Sequence, residues 1–258
     1  MRHRELGRVL PRLSAMRVHT LVVTSAVIPI PKAWRQISRL RVGVSVDGLP
    51  EHHDVRRRPA TYERILQNIQ GRRVDISWVI TQPMMRHPGY LDEYLAFWTA
   101  RPEIDRVALS IYTPQVGEHS EELLSSEARA ELVRQLPGLK KRFPALVLNE
   151  EMLRGFRAPP KSPAHCTFAT MSVNYSADFK TRVEPCVFGG APDCTRCGCA
   201  ATAIIGGVAE TQLLGPVNVS HVMNASIAVG SVVGRLRDAS SAITRWEKAP
   251  QETGQANR

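Results

Sequence analysis

No cysteine precedes Cys166, no apolar run reaches the roughly 18 residues of a membrane-crossing helix, and aromatic residues make up only 6% of the chain. A chain of 258 residues with 43% apolar content can bury its core without disulfide staples, so the cysteines are not needed to hold a small fold together. The basic start, with Arg2, Arg4, Arg8 and Arg12, leads into no apolar signal core. These absences predict a soluble, cytoplasmic protein without membrane association, in a compartment where thiols stay reduced. The one tight basic run, Arg56, Arg57 and Arg58, has no interleaved aromatic residues of the kind on which single-stranded nucleic acid stacks. It reads as a solvated face. The formal charge of +10 could attract anionic partners without specifying any.

What is present is an alternation of short β-branched runs with longer amphipathic ones over residues 20–156, the pattern of βα units in a parallel sheet. Strands are predicted at TLVVTSAVIPI from Thr20, RLRVGVSVD from Arg39, RVDISWVIT from Arg73, DRVALSIYT from Asp105 and ALVLN from Ala145. Helices are predicted at PATYERILQNI, PGYLDEYLAFW and SEARAELVRQL, with Pro59, Pro88 and Ser126 near their starts. An opening helix, ELGRVLPRLSAM, is interrupted by Pro11. A parallel sheet that begins with a helix reads as a fold entered in its middle. Pro159, Pro160 and Pro163 mark a boundary, giving a βα domain over 1–158, a cysteine-rich region with packing helices over 159–247 and a disordered tail over 248–258.

Cys166, Cys186, Cys194, Cys197 and Cys199 fall within 34 residues. In a cytosolic chain, an odd number of crowded thiols reads as metal binding. The texture PCVFGGAPDCTRCGCA surrounds them with glycines and prolines that let a backbone wrap an ion. One Cys-x-x-Cys with an adjoining Cys-x-Cys suits an iron–sulfur cubane better than the paired knuckles of structural zinc, with redox thiols the remaining alternative. Five thiols for four positions leave one over, Cys199 or Cys166. His165 reads as packed or exposed rather than as a ligand.

The strand VSVDG, the following LPEHHDVRRRPATYERILQNI and the cysteine-rich tail together resemble the radical S-adenosylmethionine proteins over most of the chain. The resemblance implies a partial (β/α) barrel of parallel strands, missing its first βα units, with S-adenosylmethionine at its mouth. Ser45 and Asp47, at the end of what resembles the fourth strand, would contact that cofactor or organise substrate. His53, Asp54 and Arg56 resemble a turn of the family. Thr81, Gln82, Tyr112 and Thr113 would line the cofactor mouth. The tail resembles the SPASM or Twitch extensions, whose cysteines hold an auxiliary cluster of the 4Fe–4S type.

The family's Cys-x-x-x-Cys-x-x-Cys loop and its Gly-Gly-Glu motif are both absent. Those three thiolates hold the cluster that cleaves the cofactor. The expectation is therefore the C-terminal portion of such an enzyme, from a truncated gene or a misassigned Met1, that binds an auxiliary cluster but starts no radical. Its partners would be an unidentified substrate and a reductase or other electron donor. The alternative is a non-enzymatic zinc or iron–sulfur module with a nucleic-acid or protein partner. Base-reading and stacking residues are not evident, so nucleic acid ranks low.

Overall fold

Five of the β-branched runs become the strands of one sheet. The computed structural model describes residues 5–230, 232 and 233. Strands β1 (Thr20–Thr24), β2 (Leu40–Ser45), β3 (Val74–Ile80), β4 (Ile104–Ile111) and β5 (Leu146–Val147) pair in sequential order, every neighbour parallel. The predicted strands are all found, shorter than expected at β1 and β5.

The helices are α1 (Leu6–Ala15), α2 (Pro50–Arg57), α3 (Tyr62–Ile69), α4 (Gln82–Met85), α5 (Tyr90–Thr99), α6 (Ser126–Arg142) and α7 (Glu150–Arg157). Side-chain caps start three of them, α3, α6 and α7. The Thr61, Ser125 and Asn149 side chains accept from the N–H groups of Arg64, Ala128 and Met152. Pro11 lies inside α1 without ending it, contrary to expectation. Proline removes one backbone bond there, and Leu10 buried in the core offsets the loss.

Sequential strand order has a consequence for the faces of the sheet. Right-handed crossovers between successive parallel strands put every connecting helix on the same side. On that side Val44, Ile76, Trp78, Ile80, Leu109 and Ile111 are buried against Ile65 and Ile69 of α3, Tyr94 and Trp98 of α5 and Leu132 and Leu136 of α6. Trp78 stacks on Tyr94 with ring centroids 4.0 Å apart.

The opposite side carries Leu21, Val23, Gly43, Ser45, Ser77, Ala108 and Ser110, which the register places in common rows. These residues are small, polar or, at Leu21 and Val23, exposed apolar. A doubly wound sheet buries both faces. This one buries one fully, and the other is half-exposed except at Gly43, with only Leu21 and Val23 of these residues exposed.

The chain divides into compact units at Met1–Gly207 and Val208–Arg258, so the predicted boundary after residue 158 falls inside the first. The described part of the second unit holds an antiparallel pair, β6 (Gln212–Leu214) and β7 (Val217–Asn218), and helical residues 219–230. The predicted tail, 248–258, lies outside the described residues. Among the described residues no helix is long and apolar enough to cross a membrane.

Candidate metal centre

The cysteine segment is stitched to the carboxyl end of β4. The Ile111 N–H donates to the Gly198 carbonyl at 2.8 Å, and the Gly198 N–H donates to Thr113 Oγ1 at 2.9 Å. Further along, the Asp193 N–H donates to the Pro114 carbonyl at 2.9 Å and the Val116 N–H to the Ala191 carbonyl at 2.7 Å. The approach at Gly198 leaves no room for a side chain, since a Cβ there would lie 2.1 Å from the Ile111 carbonyl oxygen. Helix α9 (Ala200–Ala209) then begins, its first N–H donating to Ser110 Oγ at 3.3 Å. It crosses α7 so closely that a Cβ on Gly155 would lie 2.1 Å from the Ala203 carbonyl oxygen. The loop is thus held at both ends by the βα unit, which is why residues 159–207 do not form a separate body.

All five cysteines line one small pocket, with Thr113, Phe168, Phe188 and Thr202 among its other walls and a cavity volume of about 20 Å³. Each thiol is placed by a local device. Cys166 caps helix α8 (Thr167–Met171), its Sγ accepting from the Ala169 N–H at 3.4 Å and lying 3.7 Å from Thr202 Oγ1. Cys186 starts a turn closed by the Gly189 N–H on its carbonyl at 3.0 Å. Cys194 opens a 3-10 turn capped by Asp193, and the Cys197 N–H returns to the Cys194 carbonyl at 3.1 Å. Cys199 heads α9, its carbonyl accepting from the Ala203 N–H at 2.9 Å.

The thiols act on one another. Burial, then the fields of Cys197, Cys166 and Cys186, push the Cys194 thiol up to about 11. Burial also raises Cys197, which feels Cys199 and Cys166, against donors from the Cys199 backbone and Thr202. Crowded thiols of this kind resist ionisation until a cation joins them. All five line the one pocket. Among the described residues no group of three or more His, Cys, Asp or Glu is arranged to hold a metal ion.

A second cavity, of about 690 Å³, opens beyond the ends of β3 and β4, where α/β folds place ligands. Gln82, Arg86, Gln115, Glu118, Asp193 and Arg196 line it. The turn Asp193–Cys197 contributes to both cavities.

The residues predicted to meet a cofactor divide among different environments. Ser45 stands half-buried on the half-exposed sheet face. Gln82 lines the larger cleft and Thr113 the thiol pocket, its Oγ1 on Gly198. Thr81 is buried at the start of α4. The half-buried Tyr112 donates its hydroxyl to Glu118 Oε1, beneath Arg56.

Asp47 is fully buried. One carboxylate oxygen accepts from Arg56 at 2.9 Å and Arg57 at 2.7 Å, and the other from the Val79 N–H at 3.2 Å, extending the ladder of β3. Two of the three arginines read as a solvated run are therefore engaged in holding Asp47.

His53 completes this lock, accepting from the Asp47 N–H through Nδ1 at 3.0 Å, with Nε2 2.7 Å from the Ala60 carbonyl. Burial, the leading cause, holds its pKa below the ordinary value, with Arg57 acting the same way and the Ala60 carbonyl, Asp47 and Asp54 opposing. A histidine neutral in the fold charges first in the unfolded chain. Stability is expected to decline as pH falls below the ordinary histidine value of about 6.5, and His53→Gln is expected to flatten that decline. Urea titrations of both proteins at pH 7.5 and 5.5 check this, and parallel slopes would refute it.

Thr202 and Arg129 were not legible as site residues. Thr202, three residues past Cys199, is brought to the pocket by the first turn of α9, whereas Arg129 belongs to α6 and carries no local signal. No protein family, curated protein or solved structure matches the chain.

Proposed function

We propose that this chain binds an iron–sulfur cluster of the 4Fe–4S type beside the half-exposed face of a partial (β/α) barrel. The observation that carries this reading is the meeting of five cysteines around one pocket whose wall is shared with a cleft at the carboxyl ends of the strands. An all-thiol set with one Cys-x-x-Cys and an adjoining Cys-x-Cys suits a multi-iron group better than the paired knuckles of structural zinc. Cys166, Cys186, Cys194 and Cys197 are the proposed ligands, since all four line the pocket and the charges of the other three act on Cys194, while Cys199 stands at the head of α9. Backbone N–H groups aimed at the Cys166 and Cys197 sulfurs are the donors that tune such groups.

A bound cluster would supply electron transfer or substrate binding, with an external reductase as the source of electrons. The chain's own residues supply the enclosure. The half-exposed face with Ser45 and Ser77 and the cleft with Gln82 and Arg86 are the proposed surface for S-adenosylmethionine or a substrate. The sequence contains no Cys-x-x-x-Cys-x-x-Cys loop, so cofactor cleavage is not assigned to this chain.

Anaerobic reconstitution with iron and sulfide tests the reading. About four irons per chain, retained by Cys199→Ser and lost from a Cys194→Ser/Cys197→Ser double variant, is the expected result. Stoichiometric zinc with no iron would overturn it, and formation of 5'-deoxyadenosine would overturn the assignment of no cleavage.

A further inference from the structure

Arg129 on α6 is a half-buried guanidinium whose hydrogen bonds all go to backbone carbonyls. Its Nη2 donates to the Cys197 carbonyl at 2.7 Å and to the Phe156 carbonyl at 3.0 Å, its Nη1 to the Arg196 carbonyl at 3.1 Å and its Nε to Phe156 at 3.3 Å. Among the described residues it has no carboxylate partner within ion-pair distance, although desolvated charges are ordinarily paired. Burial lowers its pKa, and the charge that opposes the shift is that of Cys197. Three elements meet at this one cation: the helix that bears it, the end of α7 and the turn carrying two of the proposed ligands.

We propose that Arg129 is the counter-charge of the group held by the cysteines, fixed behind Cys197 so as to favour the more electron-rich state of that group and raise its reduction potential. This rests on the reading of the pocket as an iron–sulfur site. A guanidinium that only clamped carbonyls would leave its desolvated charge uncompensated, and a pocket of thiolates in a low-dielectric wall in turn needs a cation. The step concerned is a one-electron reduction by an external donor. One electron enters the cluster, none leaves the protein, and no bond to Arg129 forms or breaks.

The test uses the full chain, anaerobically reconstituted, as wild type, Arg129→Lys and Arg129→Gln, titrated with dithionite against redox mediators. At the potential that half-reduces the wild type, the Gln variant is expected to show a reduced-to-oxidised ratio about tenfold lower, a shift of about 59 mV for one electron. The Lys variant, which keeps the charge but not the fork, is expected to recover most of it. If Gln fails to load iron while Lys loads, the charge is needed for assembly and the proposal stands. Coincident titrations of all three proteins, a Lys variant that tracks Gln, or loss of iron from both would overturn it in favour of a carbonyl clamp. Wild-type protein that takes up no iron would overturn the underlying assignment itself, before any variant is compared.

Discussion

Asp47→Asn is expected to lower the unfolding free energy by about 3 kcal/mol, the lower end of what losing one partner of a buried ion pair costs. The lower end applies because Arg56 and Arg57 keep 28% and 34% of their side-chain surface in water and can relax outward, and Arg56 retains Glu122. Asparagine preserves an acceptor for the Val79 N–H, so the ladder of β3 stays capped and the change isolates the charge. Denaturant unfolding with an unchanged slope checks the value. A loss under about 1 kcal/mol would show that the arginines are held by something other than Asp47.

The second large effect is expected at Gly198. An added Cβ there meets the backbone of Ile111 at 2.1 and 2.5 Å, and a strand backbone cannot yield as a flexible side-chain tip can. Gly198→Ala is therefore expected to detach the cysteine turn from β4, cutting iron uptake at least tenfold and costing about 1–3 kcal/mol of stability. Gly138→Ala is the control. Its Cβ would meet only Arg142 Nη1, at 3.5 Å in the interior of α6, and helix propensity favours alanine there. Equal iron content in both variants would remove Gly198 from the architecture of the site.

The strands and most helices were legible because their signals are local. Val74, Ile76, Trp78 and Ile80 alternate with half-buried neighbours in β3, and Tyr62, Ile65 and Ile69 form the buried face of α3. Helix α2 was not anticipated, since its buried residue, His53, is polar and reads as loop until Asp47 is known to face it. The same holds for Arg56 and Arg57, whose run of charge carries no trace of a buried carboxylate some ten residues earlier.

At the candidate site the cysteines announced themselves by crowding, but their attachment could not be read. It depends on Gly198 against Ile111, Gly155 against Ala203 and Arg129 against the Cys197 carbonyl, contacts between residues far apart in the chain. Nor did any periodicity reveal the half-exposed sheet face. Serines and a glycine between apolar neighbours look like an ordinary amphipathic strand, and only the sequential strand order shows that the connecting helices leave one side uncovered.

The bond from Gly198 to Thr113 joins residues 85 positions apart, and that separation orders events in time. Closing so long a loop carries an entropic cost that local structure reduces, so β4, α6 and α7 are expected to form before the thiol turn docks, which pulsed thiol labelling during refolding checks. During synthesis the cysteines emerge after the scaffold that receives them, and until docking they are free thiols on a mobile segment. Assembly of the pocket is thus expected late in the folding of this unit, with the thiols open to oxidants until then; cysteines protected from labelling before the strands form would overturn this.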